Sequence, residues 1–253
     1  MNTITIKNVT IGEGTPKIIV PLVGTTEEQI FQEVETVKSL KPDIIEWRVD
    51  SYKLVENLEA VTEMASKLRN ELSDTLLLFT FRSHREGGNK EITDQYYFEL
   101  LHTAIQTKKF DLVDVELFFE EADVKSTVKL AKENGVYVIM CNHDFHKTPA
   151  KEEIIYRLRK MQEYGADIPK IAVMPQSVDD LIVLLDATNT MKTKYADRPF
   201  ITMSMSGTGL VSRLAGAVFG SACTFGAGKE ASAPGQIPVD QLRSVLEIID
   251  KNR

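Results

Sequence analysis

Eight short β-rich runs, each separated from the next by a stretch with apolar residues at helical spacing, set the tightest limit on how this chain can fold. The runs are Lys17 to Val23, Asp43 to Val49, Leu76 to Arg82, Leu112 to Leu117, Val136 to His143, Lys170 to Met174, Phe200 to Met205 and Ala217 to Phe225. Ile30, Val34, Val37 and Leu40, or Leu181, Val183, Leu184 and Leu185, mark intervening helices that bury one face. Alternation of this kind produces parallel strands joined by crossover helices, and eight units close into an α/β (β/α)8 barrel of the TIM class. One such barrel accounts for all 253 residues, so a single domain over residues 1–253 is expected. An open, doubly wound sheet is the competing arrangement, but the chain has no GxGxxG after its first strand and no GxxxxGK[ST] anywhere. Thr3 to Ile6 and Val9 to Ile11 alternate in polarity and end at Gly12-Glu13-Gly14, which predicts a short N-terminal β-hairpin. Near the other end, the Gly-, Ala- and Pro-rich stretch Gly226 to Pro238 reads as a lid, followed by a last helix over Val239 to Ile249.

Composition narrows the function classes. No apolar run approaches the roughly 20 residues that span a bilayer, and the start, Met1 to Lys7, lacks the basic and apolar blocks of an export signal. Cys141 and Cys223 are far apart, form no CxxC pair and sit in apolar surroundings. They read as reduced core residues of a cytoplasmic protein. A formal net charge of −7 excludes a broad nucleic-acid footprint while leaving room for a local cationic pocket that takes a small anion.

The strands themselves carry the chemical signal. Barrel strands are buried on both faces, so charge within them needs a reason, and barrel enzymes keep their chemistry at the C-terminal strand ends. In Ile44 to Val49 the two-residue period puts Glu46 and Arg48 on one face and Trp47 on the other. The same period aims Thr80 and Arg82 inward and turns Phe79 and Phe81 out, with Asp114 and Glu116 repeating the pattern in the fourth strand and Cys141 and His143 in the fifth. A single buried ion pair could fix register, but recurrence in four strands points to a polar pocket, because each desolvated ion costs several kcal/mol.

Lys170 stands alone in Ile168-Pro169-Lys170-Ile171-Ala172-Val173-Met174. It reads either as a lysine snorkelling from a strand end or as a desolvated amine able to attack a ketone and form an imine. His143, at the end of a hydrophobic strand, is either structural or a base and acid beside that imine. Glu86, in the loop Arg82 to Gly88, reads on its own as a solvated carboxylate, with orientation of His143 as the functional alternative. His143 with His146, or Glu46, Asp114 and Glu116, could suggest a metal site; the HxxH spacing at a strand end and the neighbouring cations argue against one. A class I aldolase, a metal-dependent hydrolase and a non-catalytic hydroxy-acid binder are the rival functions.

Taken together, these segments resemble the type I 3-dehydroquinate dehydratases, the Schiff-base class of the shikimate pathway. The resemblance is carried by Asp114-Val115-Glu116-Leu117 followed by Val138 to Asp144, and by Glu46-Trp47-Arg48, Phe81-Arg82 and Lys170-Ile171-Ala172. Ser204 to Gly207 through Ser212-Arg213, and Phe219-Gly220-Ser221 through Thr224-Phe225, extend it. It implies a lyase acting on 3-dehydroquinate, in which Lys170 forms the imine with the C3 ketone, His143 is general base and acid, and Glu86 assists it. Glu46, Arg48 and Arg82 would then hold substrate hydroxyls, Arg213 the ring carboxylate, and Ser232 and Gln236 would close over the substrate from the lid. The resemblance further implies a homodimer needing neither a metal nor an organic cofactor. Where some members of the family carry a polar residue late in the first strand, this chain has Val20-Pro21-Leu22, so no first-strand contact carries over.

Overall fold

The computed structural model describes residues 2–228 and 233–252. Strands β1 (Ile4–Ile6) and β2 (Val9–Ile11) form the antiparallel hairpin. The barrel strands are β3 (Lys17–Leu22), β4 (Ile44–Arg48), β5 (Leu76–Thr80), β6 (Leu112–Glu116), β7 (Tyr137–Asp144), β8 (Ile168–Val173), β9 (Ile201–Ser204) and β10 (Cys223–Phe225). They lie parallel in chain order, with β10 beside β3. A Phe200–Ser221 bridge and a 2.8 Å bond from the Ala222 N–H to the Phe200 carbonyl bring the ring round between β9 and β10. The Ser221 hydroxyl works the same seam, accepting from the Thr202 N–H at 3.1 Å and donating to its carbonyl at 3.2 Å.

Each strand is followed by a helix: α1 (Glu27–Leu40), α2 (Leu58–Glu71), α3 (Asp94–Thr107), α4 (Glu121–Glu133), α5 (Lys151–Glu163), α6 (Val178–Lys194), α7 (Leu210–Phe219) and α8 (Val239–Lys251). Thr26, Asn57, Thr93 and Ser177 start α1, α2, α3 and α6 by accepting from the backbone N–H three residues on, which satisfies a donor the first turn would otherwise leave bare. Among the described residues no helix is long and apolar enough to cross a membrane.

One expectation is corrected. The last strand is not Ala217 to Phe225, because residues up to Phe219 belong to α7 and the strand is Cys223–Phe225 alone. The apolar run before Gly220 suits a helix as well as a strand; Gly220, at φ 127°, ends the helix with its N–H on the Gly216 carbonyl.

Two apolar layers fill the structure. Outward-facing strand residues such as Trp47, Phe79 and Phe81 pack against the helices. Trp47, Phe79 and Phe110 make a cluster with ring centroids 4.9 to 6.2 Å apart. Inside the barrel, Ile19, Ile44, Leu76, Leu112, Ile139, Ile168 and Ile201 form the floor, and Ile6 and Ile11 of the hairpin plug it from below. A repeated aspartate sets register at that end. Asp43, Asp111 and Asp167, each just before β4, β6 or β8, accept from the N–H of Ile18, Leu77 and Val138 on the preceding strand at 2.7 to 2.8 Å. Their own N–H groups donate back to the same three residues' carbonyls. With one end sealed by aliphatic side chains, polar groups in phase with them emerge at the other.

Candidate active site

Following the inward phase along β8 gives Ile168, Lys170 and Ala172; along β7, Ile139, Cys141 and His143; along β4, Ile44, Glu46 and Arg48. The upper members meet in a cavity of about 270 Å³ whose walls include Glu46, Arg48, Arg82, His143, Lys170 and Arg213. Pro234 and Gln236, from the stretch expected to form a lid, are among its lining residues, while Met203, Met205, Phe145 and Phe225 give it apolar patches. Ser232 lies outside the described residues. No β3 side chain is among the lining residues, in keeping with Val20-Pro21-Leu22.

Glu86 departs from its reading as a solvated loop carboxylate. It is 5% exposed, and Oε2 meets His143 Nδ1 at 2.8 Å and the His143 N–H at 2.9 Å, while Asn142 Nδ2 donates to Oε1 at 3.0 Å. The turn His84–Glu86 makes this possible. Gly87 adopts φ 85° beneath the Phe145 ring, and a Cβ on Gly88 would lie 1.8 Å from the Arg82 carbonyl oxygen. Gly88→Ala should therefore destabilise the fold by at least about 3 kcal/mol, through a backbone clash no side-chain rotation can relieve. Urea unfolding checks this: an unchanged midpoint would mean that the loop tolerates a different path. Burial, followed by Arg82, Lys170 and Arg48, holds the His143 imidazole well below its ordinary value of 6.5, so it is neutral and free to accept a proton. Burial and the adjacent Glu116 push the Glu86 carboxyl up to about 8. A carboxyl with that value is mostly protonated at neutral pH, so its contact with Nδ1 orients the ring, and it steadies an imidazolium only in its ionised form.

Arg82 is the electrostatic centre of the mouth. Its guanidinium donates to Glu116 at 2.7 Å, Asp114 at 2.8 Å and the Cys141 sulfur at 2.9 Å, with Glu86 3.5 Å away. Burial opposes its charge, but Asp114, Cys141, Glu116 and Glu86 outweigh that and hold it well above its usual range. Arg48 is pinned similarly, its Nε and Nη2 each 2.8 Å from one oxygen of Asp50. Glu46 accepts from Thr80 at 2.9 Å, so Glu46 and Arg48 are not each other's ion pair. Both arginines line the cavity with their charge balanced inside the protein.

Arg213 differs. It is 2% exposed, and among the described residues its Nε has no hydrogen-bond partner and it forms no ion pair. Nη2 donates to the Pro234 carbonyl at 3.0 Å and Nη1 lies 3.7 Å from the Met203 sulfur. Burial alone pulls this guanidinium down to about 10, which leaves it a cation at neutral pH. A desolvated cation facing a cavity without its own counter-ion is an anion site.

Lys170, 3% exposed, places Nζ 4.6 Å from the centre of the Phe225 ring and 3.7 Å from Asp114 Oδ2. Its backbone pairs with Cys141, one step below His143, so amine and imidazole rise from adjacent strands toward the same space. A metal fits this mouth poorly. Glu86, Cys141 and His143 do bring donor atoms within 4.8 Å of one another, but Arg82 already donates to Cys141 and pairs with Glu86 at 3.5 Å, and burial pushes the Cys141 thiol well up, so that it resists becoming the thiolate a metal needs. His146, the other imidazole considered, is exposed and does not line the cavity.

Asp50, Asn142 and Ser83, which carry no role in the expectations above, fix Arg48, Glu86 and Glu116 respectively. The available signal for Asp50 was its place two residues past Arg48 on a strand end. The other two depend on distant pairing and left none.

Comparison with known proteins identifies the family. The model of the type I 3-dehydroquinase family matches residues 18–253. A 3-dehydroquinate dehydratase of Bacillus velezensis is 68% identical over 252 residues, covering 100% of both chains. One from Bacillus subtilis is 65% identical, covering 100% of this chain and 99% of its own. Among solved structures, the type I 3-dehydroquinate dehydratase of Clostridium difficile with covalently modified comenic acid superposes with a TM-score of 0.96 at 52% identity, covering 100% of this chain and 99% of that one.

Proposed function

The chain belongs to the type I 3-dehydroquinase family, and from that premise we propose that it dehydrates 3-dehydroquinate to 3-dehydroshikimate through an imine on Lys170, with His143 as general base and acid. The observation that carries this reading is a buried lysine opening, beside a neutral imidazole, into a cavity also lined by Arg213, which forms no ion pair among the described residues. Loss of water from a β-hydroxy ketone begins with removal of a weakly acidic proton next to the carbonyl. As a protonated imine, that carbon is a better electron sink, so the electrons released when His143 takes the proton rest in a neutral enamine. The enamine then expels hydroxide, to which His143 returns the proton, and water hydrolyses the product imine to free Lys170. The sink is the chain's own lysine, so the reaction as proposed calls for neither a metal nor an organic cofactor.

In this reading Glu86 orients His143 through Nδ1, Arg213 pairs with the ring carboxylate, and Glu46, Arg48 and Arg82 hold hydroxyls with the groups their internal partners leave available. Ser232 and Gln236 close from above. The reading extends to one domain over residues 1–253 working in the cytoplasm as a homodimer. Two buried free cysteines suit a reducing compartment, and Val211 and Val218, exposed on α7, suit a second copy.

Turnover is tested by adding 3-dehydroquinate and following the ultraviolet absorbance of the conjugated product. Growth of that absorbance supports the reading; its absence with folded protein sinks it. Arg213→Ala should raise KM by about 10- to 100-fold, the worth of one charged hydrogen-bonded contact. A normal KM with only kcat reduced would contradict the carboxylate assignment.

A further inference from the structure

Lys170 has a companion that the proposed reaction does not yet use. Asp114, on β6, is 0% exposed, and its two oxygens are in different situations. Oδ1 accepts from Arg82 Nη2 at 2.8 Å and from the Cys141 thiol at 3.0 Å. Oδ2 has no hydrogen-bond partner among the described residues and lies 3.7 Å from Lys170 Nζ. A buried carboxylate oxygen left unbonded is costly, and Arg82 does not require it, since Glu116 and Glu86 also surround that guanidinium. On its other side Nζ meets the face of the Phe225 ring, so the amine is bracketed between ring and bare oxygen.

We propose that Asp114 is the positioning residue for the reacting nitrogen, its Oδ2 holding the Lys170 ammonium and then the N–H of the protonated imine. The proposal rests on the imine reading above and deepens it. One ammonium proton first passes to the ketone oxygen, which frees the nitrogen lone pair to form the C–N bond, and a second follows as that oxygen leaves as water. The third stays on the iminium nitrogen, and it is the one Oδ2 retains. A carboxylate at this distance in a water-poor site favours the charged nitrogen, which is the form that draws electrons from the neighbouring carbon.

Asp114→Asn and Asp114→Glu separate charge from packing. Asn preserves the shape and loses the charge; Glu keeps the charge and adds a methylene. The measurement is the rate of borohydride-trapped adduct formation with 3-dehydroquinate, read by intact-protein mass, alongside urea unfolding of each variant. Asn should slow trapping at least about 10-fold, as expected for one lost charged hydrogen bond, and Glu should trap faster than Asn. Should Asn fail to fold, a folded Glu variant that traps supports the assignment and one that does not overturns it. Trapping by Asn within about twofold of the unaltered protein, or Asn outperforming Glu as packing alone dictates, would also overturn it and leave the imine reading standing. An unaltered protein that forms no adduct would remove both.

Discussion

Lys170→Ala should leave a folded barrel that forms no covalent adduct with 3-dehydroquinate and loses at least about 10⁴-fold in kcat, on the scale seen when an enzyme's nucleophile is removed. The loss is one of chemistry more than of binding. Without the amine there is no iminium, and His143 would have to take a proton from carbon next to an unactivated ketone. The arginines that hold the substrate are untouched by the change, so calorimetry should still detect binding. Removing a cation beside Asp114 leaves a buried carboxylate less well balanced, so some loss of stability should accompany the loss of turnover. A variant that turns over within tenfold of the unaltered chain would show that the electrons go elsewhere.

His143→Ala should behave differently. Imine formation uses Lys170 and the ketone, so borohydride should still trap an adduct, one that retains the water the reaction normally expels. Turnover should fall by about 10² to 10⁴, the usual contribution of a positioned acid or base. Tracking kcat and adduct mass together separates the two roles: loss of both capture and turnover would mean that His143 also serves imine formation, and normal turnover would remove it from the mechanism.

Part of this site was legible in the sequence because a strand has a strict period of two. Glu46, Arg82, His143 and Lys170 each sit in phase with an aliphatic floor residue, so with the eight runs as barrel strands their direction follows. Trp47, Phe79 and Phe81 point outward for the same reason. Periodicity could not fix what depends on loops. Glu86 reads as solvated until the Gly87-Gly88 turn folds it back onto a strand 57 positions further along the chain. Arg48 and Arg82 read as open-handed substrate ligands, whereas Asp50, Asp114 and Glu116 hold them first. The misplaced start of the last strand has a similar origin: Ala217-Val218-Phe219 satisfies both periods, and only the stop at Gly220 distinguishes them. Asp43, Asp111 and Asp167 look like loop residues in sequence and turn out to bond neighbouring strands at the barrel's closed end.

The central claim, that Lys170 carries the substrate as an imine, is tested most directly by incubating the unaltered protein with 3-dehydroquinate, adding borohydride, and mapping the added mass by peptide sequencing. A single reduced adduct on Lys170 is the predicted result. An adduct on a different lysine, or steady turnover with no adduct at all, would contradict the account.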